Sequence, residues 1–534
     1  MKMPAVKPLF LRTIEQHSLI NSFILLFLIF RQPDTPNRSA HGKIPEKYYT
    51  DTFALIRRIN GKTKGPTMKI TDFQTEELLH RIREYDSIPQ MWAQVTAQYA
   101  DRPAVKDGDT ICTYRELDEA VCRFRGFLFR KGYRSGGEIR MISQCSIGFI
   151  KAFLAAETLG LTVTVLPADS TADALSPTEY CDDLSGEDCG IVLPDGESPA
   201  AVMFTGGTTG IPKGAVLSHR CMMVAVRNAC YGYPNVFCQK YLHVLPMHHV
   251  FGLIRSMLTC LGTGGTLLLC PDPHKMFDIA MTENPDIAVL VPLLVDRGVS
   301  MSRKYGRNMF GSAMKTIITG AAPVAERLAG ECKALGITLC PGYGLTETAC
   351  LVSGNPDMEG HPGSVGLLYP DQEVRFADGE LQVRGKNVMN GYTGGENCGL
   401  SPEGWFATGD IGYLDKDGFL YLMGRKKEML LTANGENVYP VPVEARFNAL
   451  PEVAECELFE GEDGKLHLEV FPRTPEQYAS PSSPQTKAFL SMLAAVNEGL
   501  PKHERASEIT IRTTDFPRTK SLKKKRREIS HGQI

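Results

Sequence analysis

The densest chemical pattern in this 534-residue chain is Phe204-Thr-Gly-Gly-Thr-Thr-Gly-Ile-Pro-Lys-Gly214. Thr205, Gly206, Gly207, Thr208, Thr209 and Gly210 directly follow the strand-like run Ala200–Phe204, and Lys213 closes the loop. Glycines let the backbone approach an oxyanion and expose successive N–H donors; threonine hydroxyls add donors, and a lysine adds charge. That combination suits a phosphate cradle. The order Gly-Lys-Ser/Thr is missing, so this is not the loop of P-loop nucleotide hydrolases. The bland alternative is a flexible Gly/Thr turn.

Three weaker patterns follow it. Gly342-Tyr-Gly-Leu-Thr-Glu347 offers a tight turn with a phenol, a hydroxyl and a carboxylate. Gly404-Trp-Phe-Ala-Thr-Gly-Asp410 places a carboxylate after a glycine turn, where it can accept two ribose hydroxyls, and Arg425 follows with a guanidinium suited to phosphate. Lys520 to Arg527 is a dense basic run, which taken alone reads as a solvated tail. Each is weak alone; their order in the chain makes them specific.

Together these elements resemble the adenylate-forming superfamily of acyl-CoA synthetases, luciferases and peptide-synthetase adenylation domains, from about Thr113 to the C-terminal basic stretch. Thr205–Gly214 matches that family's phosphate loop, with Gly206 in its serine position. Gly320, Ala321, Ala322 and Pro323 resemble its adenine-side turn, and Gly342, Tyr343, Gly344, Thr346 and Glu347 its Tyr-Gly-x-Thr-Glu core. Val388 to Tyr392 fits a linking pattern. The resemblance implies that Thr346 meets the α-phosphate, Glu347 holds Mg²⁺, Asp410 the ribose and Arg425 phosphate. It implies a hinge at Lys427 and an adenylation lysine at Lys523, with Lys524 as the fallback, because Leu522 stands where the family has glycine. The implied cosubstrates are ATP and CoA. The implied reaction joins a fatty acid or related carboxylic acid to a thiol through an acyl-adenylate.

On the acid side, Leu245-Pro-Met-His-His-Val-Phe-Gly252 lies where the resemblance places the acyl-pocket wall, with His249 at its gate. Acidic residues are missing between Pro246 and Cys270, which disfavours an α-amino acid. Gly435, within Ala433-Asn-Gly-Glu-Asn-Val-Tyr-Pro440, would border the tunnel for the pantetheine arm. A carrier protein bearing the same arm is the alternative acceptor. A nucleotide-binding regulator with weak catalysis is the alternative from another class, motivated by Leu522 and by the short 168–199 stretch.

These residues need rigid elements behind them. Short, β-branched or mostly apolar runs at Leu161–Leu166, Ala200–Phe204, Tyr241–Leu245, Gly265–Leu269, Ile287–Val291 and Lys315–Ile318 alternate with helical stretches, the pattern of buried parallel strands. After about Val374 shorter strands with Asp/Gly turns take over, and the last hundred or so residues read as a small α+β unit. The expectation is an α/β fold. Residues 68–426 form a large AMP-binding domain with mainly parallel sheets and a distorted β-barrel part, and residues 427–534 a small mobile α+β lid. Met68 is expected to open one amphipathic helix through Phe73, Leu78, Leu79 and Ile82.

Composition agrees with such an enzyme. A formal charge of −3 argues against a nucleic-acid partner. The 15 scattered cysteines read as reduced thiols of a cytoplasmic protein, and no zinc-type Cys/His spacing occurs. Residues 1–67 read as a poorly ordered or mis-started extension. Its apolar run Leu19–Phe30 is short of the roughly 20 residues that span a bilayer, so weak membrane association is the most it implies.

Overall fold

The computed structural model describes residues 67–180, 189–205, 212–395, 399–432, 436–519 and 524–527. The expectations for the apolar run at 19–30 and for Gly206–Gly210, Gly435 and Lys523 lie outside these residues. The described residues fall within the compact unit Phe53–Ile534.

The expected parallel strands form, with ends shifted by a residue or two. Four of them, together with Thr338–Tyr343 and Pro103–Asp107, lie side by side and parallel in a nine-stranded sheet, in the order Thr338–Tyr343, Thr316–Thr319, Ile287–Leu290, Lys240–His243, Thr266–Leu269 and Pro103–Asp107. Ile287–Leu290 and Thr316–Thr319 are buried at every position, which explains their unbroken β-branched and apolar sequence. A five-stranded sheet joins Glu138–Ile142, Thr162–Leu166, Pro199–Phe204, Gly214–Ser218 and Gly391–Tyr392. Buried helices pack on these sheets; Ile147–Thr158, started by the Ser146 side chain accepting from Phe149 N–H, is the most apolar.

Two expectations need correction. The single helix from Met68 is two short pieces, Ile70–Phe73 and Glu76–Arg81. Gln74 and Thr75 are extended, and the Thr75 side chain accepts from Leu78 N–H and starts the second piece afresh. The distorted barrel is, among the described residues, an open antiparallel sheet of four strands, Gln372–Ala377, Glu380–Gly385, Phe406–Leu414 and Leu420–Arg425. Its last strand does not pair back onto its first. Instead Leu420 exchanges backbone hydrogen bonds with Val365 and Gly366, so a connecting segment covers that edge.

Beyond Leu430 the chain builds its own hydrophobic core around Phe447, Leu458, Leu468, Phe489 and Leu493. Val453–Glu460 and Leu466–Pro472 are antiparallel, Glu508–Ile511 adds a parallel strand, and the helices Pro440–Asn448 and Pro484–Glu498 flank them. Charged groups join this part to the large sheets. Asp296 meets both Arg327 at 2.7 Å and Arg473 at 2.6 Å, and Arg327 also donates to the backbone of Asn448 and Val453. No described helix is long and apolar enough to cross a membrane.

Candidate active site

The site begins at the carboxyl ends of two neighbouring parallel strands, the usual place for a ligand in an open α/β sheet. Thr319 pairs with Pro341, which sets Gly320 beside Gly342. A Cβ on Gly320 would lie 2.9 Å from the Gly342 carbonyl oxygen, so the close approach requires glycine. Ala321 then turns the chain with φ +67°, and Ala321, Ala322 and Pro323 stay exposed. At Gly344 a side chain would collide with the Cys350 carbonyl, a second position that tolerates only glycine.

Thr346 and Glu347 are half-buried on the 3₁₀ turn Thr346–Thr348, held by Leu345 N–H donating to Thr348 Oγ1 at 2.9 Å. The Tyr392 hydroxyl donates to Glu347 Oε1 at 2.6 Å. Tyr392 itself is fixed because Gly391–Tyr392 pairs with Gly214–Ser218, the strand that leaves the Gly/Thr loop. The Lys213 ammonium stands 5.4 Å from the Tyr392 ring centre. The loop's two ends are pinned together, with Phe204 paired to Gly214 and Thr205 N–H bonded to Lys213 O at 2.9 Å. Lys213, Tyr392 and Glu347 thus form one continuous line.

A second line is more buried. The Tyr343 hydroxyl donates to Asp410 Oδ2 at 2.5 Å, and Arg425 Nε pairs with Asp410 Oδ1 at 2.7 Å. Asp410 and Arg425 face each other in register across an antiparallel pair. Burial pushes the Asp410 carboxyl above its ordinary value, and the Arg425 charge only partly restores it. Burial opposes the Arg425 charge, but Asp410 and its neighbours outweigh it, and the pKa rises. Exposed Lys427 follows on the turn Lys426–Glu428, its pKa lowered by partial burial and by Arg425.

His249 and His248 lie half-buried, ring centres 4.3 Å apart, and His248 Nδ1 meets Ser143 Oγ at 3.0 Å. His249 precedes a π-helical segment, Phe251–Leu258, and the Phe251 ring reaches the Gly320 turn: a Cβ on Gly320 would sit 3.8 Å from it. The structure therefore brings the histidine segment, the Gly320 turn and the Tyr343 strand together. Lys524 is elsewhere: its ammonium donates to Cys456 O and faces Glu444 at 3.8 Å, inside the C-terminal core.

Sequence reasoning did not rank Tyr392, whose signal was only a Gly-Tyr pair near the end of a linking pattern. It also missed the group His361, Asp415 and Asp417, whose ligand atoms lie within 4.8 Å of one another. His361 stacks on Phe419 at 3.5 Å and meets Asp357 at 3.3 Å, so the group ties two loops together.

Comparison with known proteins shows what the chain as a whole is similar to. The family model described as AMP-binding enzyme matches residues 92–178 and 178–393. An indoleacetate–CoA ligase of Aromatoleum aromaticum is 33% identical over 276 residues, 48% of this chain and 54% of its own length. A long-chain-fatty-acid–CoA ligase of Escherichia coli is 29% identical over 464 residues, 70% of this chain and 82% of its own. The chain spans about half the length of the first curated relatives it matches. The o-succinylbenzoate CoA synthetase of Bacillus subtilis, solved with its acyl-adenylate intermediate, shares the fold at TM-score 0.68 and 23% identity, over 81% of this chain and 96% of that one.

Proposed function

The chain belongs to the AMP-binding enzyme family, and on that premise we propose that it is an ATP-dependent acyl-CoA synthetase. The reaction has two steps. The acid's carboxylate oxygen attacks the α-phosphorus of ATP, and the bond to pyrophosphate breaks. The CoA thiolate then attacks the acyl carbonyl carbon, and AMP leaves. The observation that supports this most is the pair of side-chain lines, Lys213–Tyr392–Glu347 and Tyr343–Asp410–Arg425, converging on the Gly320–Gly342 strand ends.

Each residue has a role in this reading. Asp410 accepts the ribose hydroxyls and Arg425 holds the Asp410 carboxylate in place. Lys213 and the hydroxyls of Thr205, Thr208, Thr209 and Thr346 stabilise charge developing on the phosphate oxygens. Gly320, Ala321, Ala322 and Pro323 flank the base. Glu347, a half-buried carboxylate steadied by one hydroxyl, would supply a hard oxygen donor to Mg²⁺. When bound, that cation would neutralise phosphate charge. Residues 427–534 act as the lid, pivoting at Lys427, with Lys523 serving the first step and Gly435 bordering the thiol's path in the second. Lys524 is occupied by the C-terminal core, which supports Lys523 over it. His249 stands at the mouth of the acid pocket, walled by Phe251. CoA is the acceptor in this reading, as in the named activity of the similar ligases; a carrier-protein arm has the same thiol chemistry.

The test is release of pyrophosphate and AMP from ATP and Mg²⁺ by the full chain across a panel of acids, with and without CoA. AMP release that needs both acid and CoA supports the proposal. Acyl-AMP that CoA leaves undischarged points to a carrier protein. ATP binding with no turnover for any acid means a regulator and sinks the enzyme reading. Lys523→Ala is expected to abolish the first step while sparing thioester formation from supplied acyl-AMP; equal loss of both removes Lys523 from that role.

A further inference from the structure

Arg255 is 0% exposed, within the π-helical segment Phe251–Leu258. None of its three side-chain nitrogens has a described partner in good hydrogen-bond geometry, and the Tyr233 side chain is the polar group close enough to interact with it. The Tyr233 ring centre lies 4.9 Å from its guanidinium carbon. Tyr369, joined to Tyr233 hydroxyl to hydroxyl at 2.8 Å, is also a near neighbour. A cation–π contact recovers only a part of what desolvating a guanidinium costs. A buried, unpaired fork of N–H donors is therefore a site shaped for an anion.

Its location says which anion. A π turn needs between four and five residues, so Phe251 and Arg255 share a face of the segment. Phe251 borders the Gly320 turn, and Arg255 lies about one turn further on. Cys340, another neighbour of Arg255, is two residues before Gly342, about 7 Å down the same strand. Gly354 pairs with Gly342, and a Cβ on Gly354 would meet the hydroxyls of both Tyr369 and Tyr233. The guanidinium and two phenols thus gather one short step below the strand ends where the adenylate would form.

We propose that Arg255, with Tyr233 and Tyr369, forms the far end of the acid pocket and binds a second carboxylate, so that the preferred substrates are short dicarboxylic or carboxy-aromatic acids. This rests on the acid-activating reading above and narrows it. A single guanidinium balances the single charge of a carboxylate, and its planar fork matches one bidentately. A plain alkyl tail reaching the same place would leave the charge unpaired, which selects against long-chain acids.

The experiment compares matched acids, adipate against hexanoate and terephthalate against benzoate, by pyrophosphate release and by the thermal shift each gives without ATP. The wild-type chain is expected to favour each diacid by about a hundredfold in kcat/KM, the worth of a charged hydrogen-bonded pair. R255M should reverse the preference, and R255K should keep part of it. Diacids should raise the melting temperature of the wild type and leave that of R255M unchanged; if R255M shows no cooperative melting, R255K carries the comparison. Equal handling of diacid and monoacid by wild type and variant overturns the proposal while leaving the enzyme reading intact. Arg255-dependent thermal shifts by diacids, with no pyrophosphate release from any acid, keep the site and overturn the enzyme reading instead.

Discussion

Two arginines, one half-buried and one fully buried, behave in opposite ways. In the C-terminal core Arg526 donates twice to Glu444, at 2.8 and 2.7 Å. Glu444 also accepts Leu458 N–H and faces Lys524. Burial alone would raise the Glu444 carboxyl, yet Lys524 and Arg526 hold it below its ordinary value. Every charge there has its counter-charge within the chain. In the large core, Arg255 has the Tyr233 ring, the phenols of Tyr369 and Tyr241 and the thiols of Cys230 and Cys340 as neighbours, with no carboxylate paired to it among the described residues. A closed set of charges is part of the scaffold, whereas an open one needs something from outside the fold.

The sharpest way to break this comparison is to remove each arginine. R526M removes two charged hydrogen bonds from the buried Glu444 carboxylate, leaving it Lys524 and the Leu458 N–H, and is expected to cost the C-terminal core about 3 kcal/mol, seen as lost amide-exchange protection over Val453–Pro472. R255M strands no charge and should leave ligand-free stability unchanged or raise it by about 1–4 kcal/mol. Losses of equal size in thermal melts would mean that both arginines are structural. Next in size is Asp410→Ala, which removes a closed pair inside the candidate site. ATP binding is expected to weaken by on the order of a hundredfold, measured by calorimetry; unchanged affinity would remove Asp410 from the nucleotide site.

Acid separates the two regions more gently. His243, fully buried and bonded through Nδ1 to Ser256 beside Arg255, is pushed down to about 4 by burial. Its folded pKa lies below the unfolded value of about 6.5. The folded state therefore resists protonation, and stability falls as pH drops from about 6.5 toward 4, by about 1.4 kcal/mol per pH unit. Glu444 has a depressed pKa, so its contribution is intact above the unfolded value of about 4.3 and is lost only as pH falls below it. Melts between pH 7 and 5 should thus weaken the large core first, and a His243→Gln variant should flatten that slope. An unchanged slope assigns the pH dependence elsewhere. The smallest effect is expected at the seam: Arg473→Met leaves Asp296 its partner Arg327, so about 1 kcal/mol is lost. Proteolysis near Asn448–Val453 would report it, and no change there would mean that Arg327 alone holds the seam.

Much of this was legible from residue order. Glycines at 320, 342 and 344, the Tyr343–Glu347 turn, and Asp410 with Arg425 all lie where local patterns put them, because each rests on a strand end or hairpin defined within a few residues. The buried strands were legible because burial on both faces demands continuous apolar sequence. The split of the helix after Met68 escaped, since Thr75 reads equally well as a helix interior or as a cap. Lys524 and Lys523 were inseparable in a run of three lysines, and only the fold sends one of them onto Cys456 O.

The sequence by itself determined the family, the α/β class and the order of the Gly/Thr loop, the Tyr343–Glu347 turn and the Asp410 hairpin, since these depend on local spacing and on periodic burial. The tertiary structure alone decided which distant side chains meet: Tyr392 with Glu347, Arg526 with Glu444, and Arg255 with no counter-charge among the described residues. An arginine is written identically in all settings. Whether its charge is hydrated, paired or open depends on what packs around it, and that is settled only when remote segments fold together.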